Sequence, residues 1–68
     1  MEYTFRGLQV LRQDKQFRIC LMNHFHFGIM FIVFNDYETE FETSDYSKAI
    51  EWFNSSIEDY NEYLKEDN

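Results

Sequence analysis

The chain reads as an α+β domain, a small antiparallel β-sheet of three to four strands packed against one C-terminal α-helix (ββββα or βββα) in two layers. Three observations predict this. The first forty-odd residues alternate apolar and polar with a period of two, as half-buried strands do. After Ser44 the apolar spacing switches to three and four, the period of an amphipathic helix. The 68 residues contain no Pro and only two Gly, so nothing reads as a linker. The expectation is one domain over 1–68, with strands within about 2–43 and a helix over about 45–65.

Tyr3 and Phe5 share one face of a first strand. Leu8 and Val10 fall on the opposite phase, which predicts a bulge near Gly7. The polar run Gln13-Asp14-Lys15-Gln16 reads as a hairpin turn. Phe17, Ile19 and Leu21 then alternate with Arg18, Cys20 and Met22, and Asn23-His24 marks a second turn. Phe25 to Phe34 is apolar on both faces, with Phe25, Phe27, Ile29, Phe31 and Val33 on one and Met30, Ile32 and Phe34 on the other. That pattern predicts a central strand paired on both sides. After a turn at Asn35-Asp36, Tyr37, Thr39, Phe41 and Thr43 alternate with Glu38, Glu40 and Glu42. Ser44 or Asp45 can cap the helix. Its apolar stripe is Tyr46, Ala49, Ile50, Phe53, Ile57, Tyr60 and Leu64, and residues 65–68 are expected to fray.

One helix covers one sheet face. Met30, Ile32 and Phe34 therefore need other cover, either a hairpin folded over them or a second copy of the chain. Eight Phe, five Tyr and one Trp, 21% of the chain, supply core area that a short chain otherwise lacks. The single cysteine, Cys20, precludes an internal disulfide and suits a reducing compartment. With no signal-peptide pattern at the start and no apolar run long enough to span a bilayer, the expected location is the cytoplasm.

Charge is unevenly divided. Residues 1–35 carry two acids against four bases (Arg6, Arg12, Lys15, Arg18), whereas residues 36–68 carry eleven acids against Lys48 and Lys65, within a formal net charge of −7. A dense acidic surface repels nucleic acid and attracts basic protein surfaces. Catalytic signatures are absent: there is no glycine-rich loop and no nucleophile elbow. No enzymatic activity and no cofactor are expected. His24-x-His26 with nearby Cys20 lacks the ligand count and spacing of a zinc site, so no metal is expected either.

The candidate binding residues lie in the acidic half. Glu38, Glu40 and Glu42, about 6.6–6.8 Å apart on one strand face, form a row with roughly the spacing of backbone phosphates. The same row also reads as charge that protects an edge strand from pairing. Glu51 and Glu62, with Glu58 and Glu66, lie on the helix face opposite the apolar stripe, where an ordinary solvated surface is the competing explanation. Trp52, Ser56, Asp59 and Tyr63 form a flanking stripe whose aromatic pair can anchor a partner or simply lie under the sheet edge. A separate self-association surface is expected at Met30, Ile32 and Phe34.

In size, acidity and compactness, though in no motif, the chain resembles the short acidic inhibitors made by phages and mobile elements, including anti-CRISPR and anti-restriction proteins. That resemblance implies a protein partner with a basic, nucleic-acid-binding surface, blocked by steric and electrostatic occupation in the manner of a DNA mimic. No direct contact with nucleic acid or membrane is expected. The sequence leaves two alternatives. One is a structural or regulatory homodimer whose acids only keep it soluble. The other is a nucleic-acid binder acting through the basic N-terminal hairpin.

Overall fold

The computed structural model describes residues 3–66. Glu2 and Asp67–Asn68, for which the sequence predicts a strand start and a frayed end, lie outside the described residues. The elements are β1 (Thr4–Phe5), β2 (Leu8–Asp14), β3 (Phe17–His24), β4 (Gly28–Phe34), β5 (Thr39–Thr43) and α1 (Tyr46–Glu66). The strands form one antiparallel sheet in sequence order, β1-β2-β3-β4-β5. The α+β class and the strands-then-helix order are as the sequence predicts, with one strand more. No described helix is long and apolar enough to cross a membrane.

The extra strand arises at Arg6-Gly7. Phe5 pairs with Leu8, and the two residues between them take positive φ, 55° for Arg6 and 79° for Gly7. Two left-handed residues make a tight turn whose twist suits a hairpin. The phase change there is thus a chain reversal rather than a bulge. A true bulge follows between Val10 and Arg12, opposite β3. The next hairpin turns at Lys15-Gln16, with Asp14 paired to Phe17 and Lys15 at φ 54°.

The third hairpin corrects a second expectation. The central strand starts at Gly28, not Phe25. His24 pairs with Gly28, so Phe25, His26 and Phe27 form a three-residue loop. Gly28 supplies the left-handed residue, φ 75°, that this loop type uses at its end. At the helix N-terminus Asp45 is the cap: its Oδ1 accepts from Ser47 N at 3.0 Å and from Ser47 Oγ at 2.7 Å. These two bonds, the side-chain bond first, hold the Asp45 carboxyl below its ordinary range.

The sheet packs on both faces. On one, Phe17, Ile19 and Val33 enclose Ala49 and Phe53 of α1, with Phe31, Phe41, Ile50, Ile57 and Tyr60 at the margin. The helical stripe thus docks from Ala49 to Tyr60 as its spacing predicts, while its end residues Tyr46 and Leu64 stay exposed. On the other face Cys20, Ile32 and Phe34 are buried beneath Phe5, Leu8, Val10 and Met22. Ile32 and Phe34 are each only 4% exposed, and Met30 is half-buried. The patch expected to need a second copy is therefore closed within the chain at two of its three residues.

That closure requires a strongly curled sheet. In a flat sheet β1 and β4 would lie about 14 Å apart, three strand spacings. Instead the Phe5 ring meets Phe34 edge-on at 5.3 Å between centroids. The β1–β2 turn reaches the β4–β5 turn, where Arg6 Nη2 donates to the Tyr37 carbonyl at 3.2 Å. Phe5 is held by two guanidiniums. Arg18 lies 4.2 Å from its ring centroid and Arg6 5.2 Å, and Arg6 is also 5.3 Å from the Phe34 ring. Arg18 is buried and pairs with Asp36 Oδ1 at 3.0 Å, also donating to the Gln16 carbonyl. The Tyr3 side chain, and then Asp36, hold Arg18 protonated against the opposing effect of burial. Burial pushes the Cys20 thiol up, only partly offset by the Arg18 charge, so Cys20 stays a neutral core thiol.

Phe5→Ala should therefore do more than remove one ring. Truncating a half-buried Phe is expected to cost about 2–3 kcal/mol and to open the cover over Cys20. Urea denaturation and thiol titration read the two effects together. A stable variant with an unreactive thiol would show that Phe5 does not close this face.

Candidate protein-binding surface

The predicted row of three carboxylates does not form. Glu38 lies before β5, in the turn. A register shift opposite Val33 and Phe34 leaves Glu40 as an extra residue between Thr39, which pairs with Phe34, and Phe41, which pairs with Val33. A bulge of this kind re-aims a side chain. Glu40 turns toward α1, while Glu42, paired with Ile32, stays exposed on the other face. Strict alternation, on which the row depended, fails at this one residue.

Glu40 organises the junction of β5 and α1. Its Oε1 accepts from Trp52 Nε1 at 3.1 Å and from Ser56 Oγ at 2.9 Å, and its Oε2 accepts from Asn35 Nδ2 at 2.9 Å. Asn35 in turn builds the preceding turn, its Oδ1 accepting from the backbone N–H groups of Tyr37 and Glu38, both at 2.7 Å. This is the local bonding that favours Asn at turns. The Trp52 indole stacks on Phe41 at 4.7 Å and 6° between planes. It stays 43% exposed.

Trp52 stands between two open grooves along the edge strand. One, of about 410 Å³, is lined by Phe17, Glu40, Trp52, Ser56, Asp59 and Tyr60. The other, of about 370 Å³, is lined by Phe41, Lys48, Glu51, Trp52 and Ser55. Trp52, Glu40 and Asp59 are thus brought together, and Glu51 borders the second groove. Tyr63 is 61% exposed and lies eleven residues along the helix from Trp52, about 16 Å by the helical rise. The two aromatics do not form one patch. Glu58 and Glu62 are exposed on the outer helix.

The basic residues of the first half are divided. Arg6 and Arg18 pack on Phe5, while Arg12 and Lys15 remain exposed. Among the described residues Arg18–Asp36 is the one ion pair within 4.0 Å, so Glu51, Glu58, Asp59 and Glu62 carry no paired cation. Cys20 and His24 do not converge, being four residues apart on β3, about 13 Å. Among the described residues no three metal-ligating side chains cluster.

Two features escaped the sequence reading. Phe17 and Tyr60 line the larger groove beside the flanking-stripe residue Ser56, but pairing a strand residue with a helix flank needs the packing angle, which periodicity does not supply. The other is the β3–β4 loop, where Phe25 and Phe27 are 87% and 72% exposed. His24 Nδ1 accepts from the backbone N–H groups of His26 at 3.0 Å and Phe27 at 3.3 Å, and its ring stacks on Phe25 at 5.4 Å and 9°. Gly28 was the available signal, since a glycine after a short polar-aromatic run marks the end of a three-residue hairpin loop.

Because Glu40 serves three donors, it acts first on the fold. Glu40→Ala is expected to cost about 1–2 kcal/mol in this half-exposed setting and to shift Trp52 emission as the indole loses its acceptor. Equilibrium unfolding followed by fluorescence measures both. Wild-type stability with unchanged emission would contradict this network.

Comparison of the chain with protein-family models, curated proteins and solved structures gives no significant match in any of the three.

Proposed function

We propose that this chain is a small acidic binding protein that occupies a basic, nucleic-acid-handling surface of a protein partner and blocks it. The observation that carries this reading is the asymmetry of charge engagement. Arg6 and Arg18 are turned onto Phe5, whereas Glu51, Glu58, Asp59 and Glu62 stay exposed without a cation within 4.0 Å among the described residues. An unrelieved acidic surface gains most from a basic partner, chiefly as faster association, while buried anchors set the lifetime. The phage or mobile-element inhibitor class, anti-CRISPR or anti-restriction, rests on the likeness in size and acidity. The experiment is affinity capture from nuclease-treated bacterial lysate, washed at about 0.05 M and about 0.5 M salt. The bait is compared with a Glu51→Lys, Glu58→Lys, Glu62→Lys triple variant. Salt-sensitive recovery of one basic nucleic-acid-binding protein, lost in the folded variant, is expected; recovery unaffected by the reversal contradicts the proposal.

The homodimer remains the second reading, and the exposure of Phe25 and Phe27 favours it. The contact would then run through this loop rather than through Met30, Ile32 and Phe34. It predicts concentration-dependent sedimentation that Phe25→Ser with Phe27→Ser abolishes. A monomer at every concentration rules it out.

A further inference from the structure

The larger groove beside Trp52 has a composition that selects its ligand. Of its six lining residues, three are aromatic (Phe17, Trp52, Tyr60), two are acids (Glu40, Asp59) and none is basic. The smaller groove differs, since Lys48 lines it beside Glu51. We propose that the larger groove is a receptor for an arginine side chain presented by the partner, an inference that rests on the acidic-binder reading and gives it a specific contact.

The geometry supports this in four ways. Glu40 is fixed, its carboxylate oriented by Trp52, Ser56 and Asn35. A carboxylate offers about four acceptor positions, so those three donors do not exhaust it. Asp59 lies one turn beyond Ser56 on the same helix flank, is exposed, and has no cation within 4.0 Å among the described residues. The half-exposed indole offers a π surface, the best aromatic partner for a cation. The groove, about 410 Å³ and open to solvent, is wide enough to admit a long side chain laid along it.

The alternatives fit less well. A phosphate or a nucleic-acid backbone meets two carboxylates. An apolar side chain would strip water from those carboxylates and return no hydrogen bond. Lysine satisfies the charge, but it lacks the planar fork that pairs with a carboxylate while stacking on a ring.

Trp52 is the single tryptophan of the chain, so its fluorescence reports the groove directly. The test is titration with N-acetyl-arginine amide at constant ionic strength, alongside the lysine analogue and N-acetyl-citrulline amide, which keeps the shape of arginine without its charge. A saturable change with arginine is expected, weaker with lysine and absent with citrulline. Asp59→Asn, an exposed helix substitution checked for folding by circular dichroism, should weaken the arginine response about tenfold, the loss of one charge-assisted bond. Lys48→Ala, in the neighbouring groove, should leave it unchanged. No response to arginine, an equal response to citrulline, or an undiminished response in Asp59→Asn would overturn the receptor. If the salt-sensitive capture succeeds while this titration is silent, the acidic surface binds its partner elsewhere and only the arginine receptor is refuted.

Discussion

A central strand that is apolar on both faces sets the terms for this fold. β4 presents Phe31 and Val33 to one side and Ile32 and Phe34 to the other, so each face needs its own cover. The helix supplies one. The described residues form no second helix, and the other cover comes from the N-terminal hairpin, curled over until Phe5 lies against Phe34. A curled sheet edge is a weak lid unless something fixes it. Here Arg6 and Arg18 bracket the Phe5 ring, and Asp36 anchors Arg18. Each cation–π contact is worth about 0.5–2 kcal/mol, more as it loses water. For a domain this small such terms are a substantial part of total stability.

The same arrangement shapes the surface. Two of the four bases in the first half of the chain serve the lid, and Asp36 is the acid that pairs with one of them. The helix acids gain no comparable partner. Of these bases only Arg18 is buried; Arg6 lies exposed against the Phe5 and Phe34 rings, and the carboxylates of α1 lie in solvent. Edge strand β5 meets this acidic helix at the Glu40 bulge, where a carboxylate, an indole and a serine hydroxyl are locked together. The bulge also protects the edge, since it interrupts the row of free backbone groups that would otherwise invite another strand.

Much of the architecture was legible in the sequence because it rests on periodicity. The helix stripe from Ala49 to Tyr60 and the second half of the two-sided apolar run, Phe31 to Phe34, both translate into burial, whereas Phe25, Phe27 and Ile29 at its start stay exposed. The chain reversal at Arg6-Gly7 was seen only as a change of phase, because Arg in the left-handed region is uncommon and the strand before it is two residues long. The candidate site was legible only in part. Trp52 and Asp59 share a helix flank by arithmetic, but Glu40 joins them through a one-residue bulge that alternation cannot foresee. For the same reason the glutamate row dissolved: shifting one residue in a strand moves a side chain to the other face.

The central claim is that the lid engages Arg6 and Arg18 and leaves the acids of α1 mutually repelling. Salt tests it most directly. Unfolding by urea, followed through Trp52, should be measured as sodium chloride rises from about 0.02 M to about 0.3 M, where the screening length falls below about 10 Å. If the acids are unrelieved, screening reduces their repulsion and the folded state becomes more stable, while the part-buried Arg18–Asp36 pair loses little. A stability that stays flat or falls across that range would mean that the carboxylates are already compensated within the chain, and the account of the surface would be wrong.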